Sequence, residues 1–171
     1  MDKREHFVQI LEAEVGYIEG HNNATKYGVH TKANFLPWCG SFCNWAAFKA
    51  KYKAFNVVST KAGANAYKKA GKWHDAETAT PQRGWYAFMG FDKKNPQAIQ
   101  HVGTVRKVLP LGFVLMVEGN TSPDKKGSQA NGGEVAFKIR AYKKKNGSKL
   151  QPSKPVFIIG FGQNDLQGDK I

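Results

Sequence analysis

Apolar residues in the first part of the chain recur at helical spacing, which predicts three helices. The first covers residues 3–18, the second runs from Cys39 to about Phe48, and the third covers residues 62–73. Residues 21–36, rich in Asn, Thr, Gly and Lys, are predicted to form a loop. The predicted inward-facing residues of the three helices are, in chain order, Phe7, Ile10, Leu11, Val15, Ile18, Phe42, Trp45, Ala46, Ala66, Tyr67, Ala70 and Trp73.

After Pro81 the pattern changes to short β-branched and aromatic segments separated by turn residues. Strands are predicted at 84–91, 102–109, 113–119, 134–142 and 156–161. Pro110-Leu111-Gly112 predicts a tight connection between antiparallel strands, and Lys143–Gly147 predicts a solvated turn. Because helices come first and strands follow, we predict an α+β fold with N-terminal helices packed on an antiparallel β-sheet.

The length of 171 residues and a 41% hydrophobic content fit a single globular domain over residues 1–171. No apolar run approaches the roughly 18 residues that cross a bilayer, so we expect no membrane partner. The N-terminal segment is amphipathic and lacks the apolar core of a signal peptide. We therefore expect synthesis in a cytoplasm without a signal peptide, with a leader that has been removed as the alternative.

The net charge of +13, from 26 Lys and Arg against 13 Asp and Glu, indicates a polyanionic partner. Nucleic acid and the anionic polymers of a Gram-positive cell wall both fit, and a merely soluble basic surface is the alternative. Aromatic residues are not interleaved with Lys and Arg on one strand, as a base-stacking platform requires. We therefore expect no nucleic-acid partner.

Cys39 is the first candidate for chemistry. Pro37 suits the first turn of a helix, which places Cys39 near a helix N-terminus, where the dipole lowers a thiol pKa. Gly40 beside it would let a ligand approach closely. Cys43, one turn further on, is predicted to be a core residue. Helical geometry does not favour a bond between these two cysteines, and two cysteines are too few for a zinc–thiolate site.

A thiolate that cleaves amides also needs a proton carrier. Of the five histidines, only His101 opens a predicted strand; His6, His21 and His30 are predicted to be exposed. Glu118 and Asn120 are two apart on a strand and are predicted to project to one face, where either would orient the His101 ring. A structural histidine and a surface strand end are the alternative interpretations.

Six segments together resemble the CHAP domain family, the cysteine- and histidine-dependent amidohydrolases and peptidases that cleave peptidoglycan, as in bacteriophage endolysins. The resemblance spans about residues 18–161. The segments follow the family's order: Asn23-Ala24-Thr25-Lys26-Tyr27-Gly28, Pro37-Trp38-Cys39-Gly40-Ser41-Phe42, Gly71-Lys72-Trp73-His74, His101-Val102-Gly103-Thr104-Val105, Glu118-Gly119-Asn120-Thr121-Ser122 and Gly132-Gly133.

This resemblance implies a papain-like fold and a thioacyl mechanism. Cys39 matches the family's nucleophile, His101 its general base and acid, and Glu118 and Asn120 the residues that orient the histidine. By analogy, the Cys39 backbone N–H would stabilise the oxyanion. The expected substrate is bacterial peptidoglycan, cleaved as an N-acetylmuramoyl-L-alanine amidase or alternatively as a cross-bridge or stem endopeptidase. A non-catalytic wall-binding or nucleic-acid-binding module is a weaker alternative.

The resemblance also sets expectations about partners and location. We expect a monomer without a separate wall-binding domain, whose basic surface contacts anionic wall polymers. It would act on the wall from the host cytoplasm through a holin, or from a virion. Trp38, Tyr27 and Trp85 are predicted to line a substrate groove.

The chain departs from the family at two points. Some members carry a calcium loop before the cysteine, but no Asp or Glu occurs here between Glu19 and Asp75. Calcium prefers carboxylate oxygens, so we expect no metal and no cofactor. Arg83-Gly84-Trp85 stands where the family usually has Gly-Asp, which puts a local turn in doubt.

Overall fold

The computed structural model describes residues 2–92, 94–123, 127–143 and 157–164. Four helices precede the main strands: α1 (Lys3–Ala13), α2 (Lys26–His30), α3 (Cys39–Ala50) and α4 (Thr60–Lys69). Six strands follow: β1 (Trp73–Asp75), β2 (Tyr86–Gly90), β3 (His101–Leu109), β4 (Phe113–Thr121), β5 (Glu134–Ala141) and β6 (Phe157–Gly162). No helix in this described part of the chain has the length and apolar character to span a membrane.

The strands form one antiparallel sheet in the order β1-β6-β2-β3-β4-β5. This confirms the predicted α+β architecture. The five predicted strands are present with ends shifted by a few residues, and β1 was missed because three residues carry too little pattern. The predicted solvated turn lies, apart from Lys143, outside the described residues.

Alternation along the strands separates two hydrophobic cores, one on each face of the sheet. Tyr86 and Phe88 face the helices, while Ala87 and Met89 face the opposite core. Helix α3 packs on β3 and β4 and also contacts α1. Its N-terminus therefore lies beside the start of β3 and the end of β4.

The first helix is shorter than predicted because sheet pairing takes over its last turn. Helix α1 ends at Ala13, and Gly16 then adopts a φ of 94°. The Gly16 N–H donates to the Val135 carbonyl, and Ile18 forms an isolated bridge with Glu134. Residues 16–18 therefore join the edge strand β5 instead of continuing the helix.

Two other helix predictions need correction. The third helix ends at Lys69, since Gly71 turns the chain at a φ of 67° and Trp73 pairs with Gly162 in the sheet. Within the predicted loop, residues Lys26–His30 form a short helix, because the Thr25 hydroxyl accepts from the Gly28 N–H at 2.9 Å.

The turn between β3 and β4 has the predicted tight form. Residues Pro110–Gly112 make a single 3₁₀ turn in which Leu111 and Gly112 have φ values of 61° and 80°. Because this turn joins neighbouring antiparallel strands directly, the start of β3 lies beside the end of β4. His101 and Glu118 are thereby brought into contact.

Candidate active site

Cys39 is the first residue of α3, as the sequence predicts, and its side chain is buried except for 4% of its surface. Burial raises the pKa of the Cys39 thiol, but the neighbouring His101 and the backbone N–H groups of Val102 and Gly40 outweigh it, so the pKa is lowered. The thiol therefore gains thiolate character in a site that excludes most water.

His101 opens β3 and is fully buried. Its Nε2 hydrogen-bonds Glu118 Oε2 at 3.1 Å, which leaves Nδ1 for Cys39. Nδ1 makes no hydrogen bond of good geometry to a described group, yet the ring is close enough to Cys39 for the two charges to interact. Burial lowers the His101 pKa, but Cys39 and Glu118 outweigh it and raise the pKa to about 9. A thiolate–imidazolium pair is thereby favoured.

Glu118 is held on its other side by Arg140. Arg140 Nε donates to Glu118 Oε1 at 2.8 Å and Nη2 donates to Oε2 at 2.7 Å. Both side chains are almost completely buried. Burial raises the pKa of the Glu118 carboxyl, but Arg140 and then His101 outweigh it and hold that pKa far below its ordinary value. Glu118 is therefore ionised where it accepts from His101.

Gly103 makes room for this carboxylate. A Cβ at Gly103 would lie 2.7 Å from Glu118 Cγ. The neighbouring strand thus needs a residue without a side chain where Glu118 crosses it. Next to Glu118, Gly119 meets the opposite face, where a Cβ would lie 2.7 Å from the Trp38 ring.

The strand is irregular between Glu118 and Asn120, which the sequence predicts to project to one face. The β4–β5 register shifts between Glu118 and Thr121, and Asn120 has a left-handed φ of 55°. Regular alternation is therefore interrupted between the two residues. The Asn120 amide is fully buried, and neither of its polar atoms has a hydrogen-bond partner among the described residues. Of these two residues, Glu118 is the one that hydrogen-bonds His101.

Trp38 and Tyr27 are fully buried, so the prediction that they line a groove is not supported. Their rings stack at 5.4 Å, and Trp38 Nε1 donates to Glu19. Trp85 lies in the core on the opposite face of the sheet, stacked 4.7 Å from His74. All three rings are therefore part of the hydrophobic cores of the protein.

The other cysteine and the exposed histidines do not belong to this group of interacting side chains. Cys43 is fully buried with Sγ 3.7 Å from Thr104 Oγ1, and burial raises the pKa of its thiol. Both cysteines are free. His6, His21 and His30 are exposed, as predicted. Arg83 Nε donates to Glu5 at 2.9 Å, so the altered Arg-Gly-Trp turn is tied to α1.

The sequence analysis did not single out two features, one inside the site and one next to Cys39 in the sequence. The first is Arg140 on β5, a strand whose individual residues the sequence analysis did not assign. Phe35 and Leu36, just before Cys39, are 63% and 55% exposed. The sequence analysis assigned substrate contact to Trp38, Tyr27 and Trp85 and did not consider these two residues.

The family model described as the CHAP domain matches residues 31–120, which are ninety of the 171 residues. No curated protein matches the chain. Among solved structures, "The crystal structure of Ly7917 with the hydrolyzing product of MDP" is similar, with 13% identity and a TM-score of 0.46. The similarity covers 93% of this chain and 62% of that chain, so this chain spans less than two thirds of its length.

The matched region holds Cys39, His101, Glu118 and Asn120, and the α+β architecture is the papain-like one that the resemblance implied. Since the match covers more than half of the sequence, this protein belongs to the CHAP domain family of cysteine- and histidine-dependent amidohydrolases and peptidases.

Proposed function

We propose that this protein hydrolyses an amide bond of bacterial peptidoglycan through a thioester on Cys39. The observation that carries the proposal is the buried chain from Cys39 through His101 to Glu118. The pKa of the Cys39 thiol is lowered and the pKa of the neighbouring His101 imidazole is raised. Amide cleavage by a thiolate requires such a pair, since one group must attack as an anion and the other must donate a proton.

The proposed reaction has two steps. The Cys39 thiolate attacks the amide carbonyl carbon, and the carbonyl oxygen takes the negative charge near the Cys39 backbone N–H. The C–N bond then breaks while His101 Nδ1–H gives its proton to the leaving nitrogen, which leaves a thioester. A water that gives its proton to neutral His101 attacks the thioester, the C–S bond breaks, and the carboxylic acid leaves. Glu118 holds the Nε2–H of His101 throughout.

For the bond that is cleaved, we favour the N-acetylmuramoyl-L-alanine amide, with a D-alanyl-glycyl or other cross-bridge or stem peptide bond as the alternative. Phe35 and Leu36 are proposed to contact the substrate. Both are exposed a few residues before Cys39, and Phe35 is held at a φ of 64°, which a bulky residue rarely adopts. Such strain is frequent at functional positions.

A basic surface on the helical side is proposed to contact anionic wall polymers. No Asp or Glu occurs between Glu19 and Asp75, and that stretch carries nine lysines. Seven of the nine are exposed and pair with no described carboxylate: Lys32, Lys49, Lys51, Lys53, Lys61, Lys68 and Lys69. If the proposal is right, wall binding weakens as ionic strength rises, and Lys61→Gln/Lys68→Gln reduces that salt dependence.

The proposed setting is that of an endolysin. The protein would act as a monomer that reaches the wall from a host cytoplasm through a holin, or from a virion. This rests on the family resemblance, and size-exclusion chromatography with light scattering tests the oligomeric state.

Mass spectrometry of digested, purified peptidoglycan tests the reaction. Intact free stem peptides with peptide-free glycan would identify an amidase, and stem fragments with new termini would identify an endopeptidase. Cys39→Ser should abolish release, while Cys43→Ala, which alters the other buried thiol of the same helix, should retain it. Release by Cys39→Ser, or none by the unaltered protein, would contradict the proposal.

A further inference from the structure

In the second half of β5, the apolar side chains are exposed and the charged side chains are buried. Phe137 and Ile139 are 42% and 55% exposed, whereas Lys138 and Arg140 are 8% and 1% exposed. Burying a cation is costly unless it is paired or hydrogen-bonded, so both inward positions need partners. Lys138 donates to a backbone carbonyl, whereas Arg140 donates to the carboxylate of Glu118.

Arg140 is paired with the carboxylate that holds His101. It contacts both oxygens of Glu118 at 2.8 and 2.7 Å, and its Nη1 donates to Gln129 Oε1 at 3.3 Å. A planar guanidinium in this two-point contact defines both the position and the plane of the carboxylate. The Glu118 oxygen that accepts from His101 is one of these two.

We propose that Arg140 is a positioning residue, which acts through Glu118 to keep His101 oriented and able to carry the proton that leaves the Cys39 thiol. This rests on the proposed function, since it extends the same site by one residue. Arg140 hydrogen-bonds neither Cys39 nor His101 in the described structure, so the contact through which it acts on them is the one with Glu118.

Among the described residues, charged and titratable groups reach this carboxylate from three elements. Arg140 approaches Glu118 from β5 and His101 approaches it from β3. On α3, the Cys43 thiol interacts with Glu118, and the Cys39 thiol interacts with His101. Lys138 lies on the same face of β5, but its Nζ donates to the carbonyl of Ser122 at 2.6 Å. Without Arg140, a carboxylate with no exposed surface takes up a proton, and a neutral Glu118 does not stabilise the imidazolium.

The pH dependence of Cys39 alkylation by iodoacetamide tests this without any wall substrate. Alkylation is followed at Cys39 by peptide mass spectrometry. In Arg140→Met, we expect the pKa that governs the reaction to rise by about one or more, with a roughly tenfold slower reaction at neutral pH. Arg140→Lys keeps the charge but not the two-point contact, so a smaller change is expected. A profile for Arg140→Met that coincides with the unaltered protein would overturn the proposal.

Lys138→Met is the matched control, because it also removes a buried cation from the inward face of β5. It should lower the thermal midpoint without moving the alkylation profile. An equal displacement by Lys138→Met would overturn the proposal, since it would trace the effect to general loss of buried positive charge.

A double variant addresses folding and the route of the effect. Glu118→Gln/Arg140→Met leaves no buried unpaired charge, so it should fold even where Arg140→Met does not. Its alkylation profile should match that of Glu118→Gln alone, because Arg140 has no route that avoids Glu118. A further displacement in the double variant would overturn the proposal. Failure of the unaltered protein to digest peptidoglycan would count against the proposed function only, since alkylation needs no substrate.

Discussion

The Gly40 backbone lies directly against the carbonyl of Val57: a Cβ on Gly40 would be 1.9 Å from that oxygen. The Val57 N–H also donates to the Asn44 side chain at 2.9 Å, one turn further along α3. The segment around Val57 is thereby docked on the first turns of the helix that begins with Cys39. Gly40 thus serves the packing of backbone on backbone, where the sequence analysis assigned it to the approach of a ligand.

Gly40→Ala is therefore expected to destabilise the fold and to disturb the start of α3. The atoms that the new Cβ would meet belong to the backbone of Val57 and Val58, which cannot move aside as a flexible side chain can. We therefore expect the strain to lower the free energy of unfolding by about 1–3 kcal/mol. Chemical denaturation measures this cost. Gly20→Ala is the control, because its Cβ would make only ordinary contacts at 3.4 Å or more. Equal stability of the two variants would contradict the packing role.

Peptidoglycan hydrolysis is expected to show a bell-shaped pH dependence of kcat/KM. The imidazolium is required on the acid side of the His101 pKa of about 9, so activity falls as the pH rises through that value. The thiolate is lost as the pH falls through the lowered Cys39 pKa, which sets the acid limb. An alkaline limb near the ordinary histidine pKa of 6.5 would contradict the pairing of Cys39 with His101.

The same shift affects stability. Because the folded-state pKa of His101 lies above 6.5, its protonation stabilises the fold fully below about pH 6.5. That contribution is lost as the pH rises through about 9. The free energy of unfolding, measured by denaturation at several pH values, should therefore fall over this interval, and His101→Gln should remove that part of the dependence.

Glu118→Gln and Asn120→Gly are expected to affect different steps. Glu118→Gln removes the charge that faces the His101 ring, so it should lower kcat and change the pH profile of Cys39 alkylation. Asn120→Gly retains the left-handed backbone conformation and removes an amide that no described residue satisfies. It should weaken wall hydrolysis while leaving the alkylation profile unchanged. A changed profile in Asn120→Gly would instead assign Asn120 to the orientation of His101.

Trp85 and Phe35 should separate stability from substrate contact. Trp85→Ala removes a ring that is 5% exposed, so it should cost about 3 kcal/mol or more of stability and leave KM for soluble wall fragments unchanged.

Phe35→Ala removes a ring that is 63% exposed, so stability should change by less than about 0.5 kcal/mol. Its KM should rise several-fold. A raised KM in Trp85→Ala alone would restore the groove predicted from the sequence.

The sequence by itself determined the architecture and the two main catalytic candidates, Cys39 and His101. Helical spacing before Pro81 and strand patterns after it predicted helices on an antiparallel sheet. These local patterns report the environment of each segment, because the period of buried positions follows from backbone geometry. Cys39 and His101 were predicted for the same local reason, since each stands at the start of a regular element.

Only the tertiary structure decided the contacts between segments distant in the chain. The two-point contact joins residues 22 apart, Arg140 and Glu118, which no local pattern reports. Likewise, whether Trp38 is core or surface depends on Glu19 and Tyr27, which pack around it. Asn120 lies where the register of β4 shifts against β5, which the pattern of one strand does not report. Hydrophobic period is a property of one segment, whereas burial, pairing and register are properties of two segments in contact, and only the folded chain has them.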